Sequence, residues 1–137
     1  MKTEVMPSTT LPASPSWEYS NGFWISEDTD NLVILFKYTE GDETGFYWYL
    51  EWQANGTDDW HKVAAVTGAS PSGVQNLRPI KGFWDKSDKE TDPDFLQLPM
   101  PRRNGIMVPG MYRIRVQGAG SPKAPGSVSL AIEEVKV

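Results

Sequence analysis

Apolar and polar residues alternate with period two along most of this chain. In "FYWYLEWQA", residues 46–54, Phe46, Trp48, Leu50 and Trp52 fall on one parity, and Tyr47, Tyr49, Glu51 and Gln53 on the other. That pattern predicts a β-strand with one face in a core and one half-polar face. "GMYRIRVQG", residues 110–118, alternates in the same way, with Tyr112, Ile114 and Val116 inward and Met111, Arg113 and Arg115 outward. "NLVILFKYT", residues 31–39, is apolar on both parities. Leu32, Ile34, Phe36 and Tyr38 share one face and Val33 and Leu35 the other, which predicts a central strand. "SVSLAIEEVKV", residues 127–137, starts with Val128, Leu130 and Ile132 in phase, then shifts parity at Val135 and Val137. A bulge near Glu133–Glu134 would turn the last valines inward. "GFWI" is a short apolar strand ahead of the turn-like "SEDTDN". Residues 67–109 give only brief strand candidates, at Val74–Leu77, Lys81–Trp84 and Phe95–Leu98. No stretch carries a helical stripe, and 12 Gly and 11 Pro punctuate the chain every few positions. The expected fold is all-β, an antiparallel β-sandwich of jelly-roll or Ig-like type.

Residues 1–16 break the pattern. Pro7, Pro12 and Pro15 stand among Ser and Thr, with few apolar positions. Proline has no N–H to donate and a fixed φ, so this stretch is expected outside any sheet interior. It reads as an extended N-terminal arm that orders on a partner. The domain reading is therefore an arm over 1–16 and one sandwich over 17–137, with a loop-rich insertion around 67–109.

Composition narrows the chemistry. The chain has no cysteine, which removes disulfides and thiolate metal sites. It has no apolar run of about 18 residues, so no membrane-spanning helix is expected. Its first residues lack the apolar middle of a signal peptide, so use without Sec-type export is expected. The net charge of −5 argues against a nucleic-acid binder, which needs a cationic face. The charge is uneven. Residues 1–60 hold 11 acids against 2 bases, and residues 61–137 hold 7 against 11. The two halves either mix in one fold or give the molecule two unlike faces for contacting copies of itself or a charged lattice.

The single histidine lies in "EWQANGTDDWHKVAAV", residues 51–66. "NG" between two alternating runs marks a tight hairpin, because both residues accept positive φ. Asp58 and Asp59 then sit at the turn, where carboxylates cap free amides. His61 falls near an exposed hairpin end, without the converging nucleophile and orienting carboxylate that catalysis requires. At this point "YLEWQANGTDDWHKV", followed later by "PGMYRIRVQGAG" and "GSVSLAIEEV", resembles a recurrent structural module of tailed-bacteriophage virion proteins. In that module a strand runs into an "xDGxxW" hairpin, and a late "G-x-Y/F-R-x-x-V" strand precedes the last strand. Here the carboxylates follow Gly56 instead of preceding it. The resemblance covers about residues 31–137 and implies a β-sandwich serving as a capsid decoration, fibre or tail part.

Three other groups bear on function. Asp85, Asp88, Asp92 and Asp94 could offer oxygens to calcium, but they lack the EF-hand spacing, and Lys86 and Lys89 intervene. A solvated loop is the simpler reading. Six tryptophans and five tyrosines invite a sugar-binding reading. Trp48 and Trp52 belong to a core face, whereas Trp60, Tyr47, Tyr49, Phe83 and Trp84 are candidates for stacking on a glycan or anchoring a protein contact. Arg102, Arg103, Arg113 and Arg115 are candidates for a basic patch that meets an acidic neighbour. The expectation is a non-enzymatic virion structural protein, a capsid decoration (cement) protein that stabilises the phage head. Its partners would be the major capsid protein or other virion subunits, and it would be a homo-oligomer, a trimer by preference. No catalytic residue, cofactor, metal, nucleic acid or membrane is expected. The location would be the virion, assembled in the host cytoplasm. The alternative is a carbohydrate-binding module or tail/fibre component that recognises a host surface glycan. A glycan-cleaving enzyme would need paired carboxylates in a cleft, and no pair stands out.

Overall fold

The computed structural model describes residues 2–54, 57–69, 75–79, 81–85, 95–99 and 109–136; between 64 and 108 it describes strand backbone alone. These residues form twelve strands, numbered in chain order, and all their pairings are antiparallel. The first sheet has the order β1 (Lys2–Thr10), β12 (Ser127–Lys136), β4 (Thr29–Thr39), β10 (Phe95–Pro99). The second has the order β2 (Glu18–Tyr19), β11 (Gly110–Gly118), β5 (Gly45–Gln53), β6 (Trp60–Lys62). β3 (Phe23–Ile25) also pairs with β11, and β9 (Lys81–Asp85) with β5. β7 (Ala64–Ala69) and β8 (Gln75–Pro79) pair only with each other.

The two large sheets pack face to face as a β-sandwich. Leu32, Ile34 and Phe36 of β4 and Val128, Leu130 and Ile132 of β12 meet Phe46, Trp48 and Leu50 of β5 and Tyr112, Ile114 and Val116 of β11. Phe36 joins the layers, with ring centroids 6.0 Å from Phe46 and 5.7 Å from Trp48. Each inward residue alternates with an outward one, so period two in the sequence becomes the two faces of each sheet.

A single antiparallel ribbon builds the centre of both sheets. β4 pairs with β12 from Thr29↔Lys136 to Thr39↔Ser127, and β5 pairs with β11 from Phe46↔Gly118 to Trp52↔Tyr112. The ribbon folds from one sheet to the other at a corner made by residues 40–44 and 119–126. Backbone bonds hold the corner, from Asp42 N to Ala124 O (3.0 Å) and from Ala119 N to Gly45 O (2.9 Å). The Asp42 carboxylate accepts from the amides of Lys123 and Ala124. The buried Glu43 carboxylate accepts from Gly126 N (2.7 Å), Gly41 N (3.2 Å) and the Tyr38 hydroxyl.

Two expectations change. The stretch read as a partner-dependent arm contains β1, the edge strand of the first sheet, and Val5, Met6 and Leu11 are buried in the core. Pro7 is tolerated because the edge needs no donor on its outer side, and the register shifts on both sides of it, after Glu4 and before Thr9. The bulge expected near Glu133–Glu134 is absent, because the β12–β4 register runs evenly through both residues. The shift comes between Val135 and Lys136, and Val135 stays exposed. The half-buried Val63, whose amide bonds to Leu50 O, separates β6 from β7.

Candidate functional site: an aromatic and arginine face

The outward side of the second sheet gathers rings from three strands around two arginines. Outward parity on β11 gives Arg113 and Arg115. On β5 it gives Tyr47, Tyr49 and Glu51. The β5–β6 register sets Lys62 opposite Glu51 and Trp60 opposite Gln53. β2 sets Tyr19 opposite Arg115, and Trp17 lies just ahead of it. The Arg113 guanidinium stands 4.1 Å from the Tyr19 ring centre and 4.3 Å from that of Trp60. Arg115 stands 4.3 Å from the ring centre of Trp17 and 4.7 Å from that of Tyr49, and Lys62 Nζ is 4.5 Å from the centre of the same Tyr49 ring. Trp17 and Tyr49 meet edge to face at 5.5 Å.

Glu51 is buried beneath this array and fixes it. Arg113 Nε donates to its Oε1 at 2.8 Å, and Arg115 is 3.8 Å from its other oxygen. One carboxylate thus faces two guanidinium groups. Arg115 Nε is buried with no hydrogen-bond acceptor among the described residues, so the electron-rich ring faces supplement its ion pair with Glu51. Cation–π contacts contribute roughly 0.5–2 kcal/mol each, more when desolvated. Glu51→Gln should lower stability by about 2 kcal/mol, because the ion pair becomes a hydrogen bond from a cation to a neutral amide and the two arginines lose the charge that offsets their repulsion. The midpoint of urea unfolding measures this, and an unchanged midpoint would mean that the rings alone hold the arginines.

Most of the predicted contact residues meet here. Tyr47, Tyr49, Trp60, Arg113 and Arg115 share this face, and Tyr47 is 43% exposed. On β9, Phe83 is opposite Tyr47 and Trp84 is opposite Phe46 in the register. Arg102 and Arg103 lie outside the described residues, as do Asp88, Asp92 and Asp94 of the calcium candidate. His61 is exposed on β6, opposite Trp52. Its hairpin closes through Ala54 N to Asp59 O (3.0 Å). Among the described residues no group of three His, Asp or Glu side chains is placed to hold a metal ion. Sequence reading missed Trp17, Tyr19, Lys62 and the central role of Glu51. Parity on β5 and β6 carried the signal for Glu51 and Lys62. Trp17 and Tyr19 stood beside the proline-rich stretch with no alternation to place them.

One ring on this side is not covered by an arginine. Trp24 of β3, opposite Met111, is 62% exposed and stands between two clefts. One, of about 570 Å³, opens between the edges of the two sheets. Its floor is Val5, Phe23 and Ile132, and its rim is Thr3, Glu4, Asn21, Glu134 and Lys136. The other, of about 420 Å³, lies among Trp52, Gln53, Pro109 and Met111. Trp52 is pressed against Gly110, where an added Cβ would come 2.7 Å from the indole nitrogen. Lys136 is 3.5 Å from Asp28 and 3.6 Å from Glu134. The Ser26 hydroxyl, and then Lys136, hold the Asp28 carboxyl below the ordinary aspartate value. A depressed carboxyl stabilises the fold above the ordinary aspartate pKa and loses that contribution as the pH falls. No protein-family model matches the chain, and no curated protein matches it.

Proposed function

We propose that this chain is a non-enzymatic virion structural protein, a capsid decoration module that attaches to the phage head through its aromatic and arginine face. One observation supports a contact role most strongly. Trp17, Tyr19, Trp24, Tyr47, Tyr49 and Trp60 all lie on one outer side of the sandwich. The opposite outer side carries Val33, Leu35 and Lys37 of β4 and Ser127, Ser129, Ala131 and Glu133 of β12. Tyrosine, tryptophan and arginine are the residues that dominate protein contacts when held rigid. Here Glu51 and the stacked rings hold them before any partner arrives, which lowers the ordering cost of binding. The virion setting comes from the sequence resemblance. The preferred trimer follows from the same setting, since each copy would then add its face to a shared attachment.

Tyr19 and Tyr47 are about half exposed and outside the core cluster, so Tyr19→Ala with Tyr47→Ala tests the face while leaving the core side chains in place. The double variant should stay cooperatively folded, destabilised by no more than the roughly 0.5–2 kcal/mol of the lost Tyr19–Arg113 contact, and bind purified heads at least tenfold more weakly, about the cost of one interface anchor. Heads carrying the protein should also release their genome at a higher temperature than heads without it. Equal occupancy of the double variant, or equal release temperatures at full occupancy, would overturn the proposal. A second reading, recognition of a host surface glycan, is favoured by Trp24. It is the most exposed of the described tryptophans, and no described cation covers it.

A further inference from the structure

The rings named for glycan stacking in the sequence are partly used up. Guanidinium and ammonium groups already stand over Trp60 and Tyr49. A sugar would have to displace them. Trp24 differs, because it borders a cleft on each side and belongs to both linings. Its neighbours Phe23 and Ile25 are buried, so β3 anchors the indole while leaving it open.

Resting on the glycan reading, we propose that Trp24 is the stacking platform of a site for a neutral pyranose chain, with one sugar ring in each cleft. A pyranose is amphipathic. Its C–H face packs on an aromatic surface, and its hydroxyls both donate and accept at the edge. The larger cleft matches this on every side. Val5, Phe23 and Ile132 give an apolar floor, Trp24 a wall, and Thr3, Asn21 and Glu4 a rim of donors and acceptors. In the smaller cleft, Gln53 supplies an amide beside Trp52. Both volumes lie within the roughly 300–1,000 Å³ of small-ligand sites. The preference for a neutral chain follows from the rim charges. Lys136 is already flanked by Asp28 and Glu134, and Glu4 adds another carboxylate, so an acidic sugar would meet net negative charge. An added peptide strand fits less well. On the outer edge of β1, Val5 O already accepts from Asn21 N (2.7 Å) and Pro7 has no N–H to offer, which interrupts a ladder of hydrogen bonds.

The test titrates the full chain with maltotetraose, cellotetraose and chitotetraose, and with tetragalacturonate as the acidic comparison. Tryptophan fluorescence and NMR shifts report binding. At least one neutral tetrasaccharide should bind saturably at millimolar concentration, more tightly than the acidic one. Trp24→Ala should weaken it about fivefold or more, as losing an aromatic stacking platform does. Trp24→Phe should retain most of the affinity, and Trp60→Ala all of it. If the neutral sugars bind and Trp24→Ala leaves affinity unchanged, the cleft is the wrong site and the glycan reading stands. Loss in Trp60→Ala alone has the same meaning. If no tetrasaccharide binds, or only the acidic one does, the proposal fails. If, in addition, Trp24→Ala weakens attachment to heads, Trp24 belongs to the shell contact.

Discussion

A chain lacking residues 1–11 should lose its cooperative unfolding transition. β1 and the residue that follows it bring Val5, Met6 and Leu11 into the core at 3%, 2% and 1% exposure. Each such side chain contributes roughly 1.5–3 kcal/mol by burial, so the three approach the whole 5–15 kcal/mol stability of a domain. The truncated chain would be spared the entropy of ordering β1. It would still expose the inner faces of Val128, Leu130 and Ile132 and the unpaired edge of β12, along which Lys2–Thr10 now pair with Ser127–Glu133. An open edge beside bare apolar surface promotes aggregation. Near-ultraviolet circular dichroism and urea unfolding measure the effect. Leu11→Ala is the milder form and should cost about 2–5 kcal/mol. A truncated protein that melts cooperatively within a few degrees of the full chain would return these residues to the status of an accessory arm.

The second large effect is expected at the corner. Glu43→Ala should destabilise the protein by about 2–6 kcal/mol, since one buried and one half-buried donor lose their acceptor at roughly 1–3 kcal/mol each. Those donors are Gly126 N and the Tyr38 hydroxyl, and Gly41 N is a third neighbour of the same oxygens. Gly126→Ala probes the same place by sterics. Its added Cβ would lie 2.2 Å from Thr39 O and 2.8 Å from Glu43 Oε1. At Gly41 the added Cβ would lie 1.9 Å from Gly126 N. Both clashes include backbone, so the two connections would have to part, and the cost should reach or exceed the roughly 1–3 kcal/mol of ordinary overpacking. The two effects should be less than additive when combined, because either change opens the same corner. A Glu43→Ala protein with an unchanged urea midpoint would show that water replaces the carboxylate without loss.

Period two was legible wherever one face of a strand is buried and the other is not. β5, β11 and the first half of β12 follow their sequence parity residue for residue, and β4 is central, as its two apolar faces require. The short candidates in the middle of the chain correspond to β8, β9 and β10, with ends shifted by a residue or two. β1 was illegible because proline and hydroxyl residues mask an edge strand that buries only two side chains, Val5 and Met6. The end of β12 misled because Val135 looks like a core residue, but the sandwich has no more core to offer there. The outward face was half legible. Parity assigns Tyr47, Tyr49, Arg113 and Arg115 to it. Which strands lie beside them depends on pairings between residues far apart, and no local pattern encodes that Tyr19 or Trp60 will lie against Arg113.

The folded ribbon also sets a timetable for synthesis. Its nearest rungs, Trp52 with Tyr112, are sixty residues apart, and its farthest, Thr29 with Lys136, more than a hundred. Closing such spans costs entropy before any contact rewards it, and chains ruled by distant pairings fold slowly. The rungs with the shortest span should zip first, β5 onto β11, and then carry closure around the corner to β4 and β12. Until β12 leaves the ribosome, β1 has no strand to pair with and β4 lacks its partner on one side. A nascent chain of this kind must stay soluble while waiting for the strand that completes its first sheet.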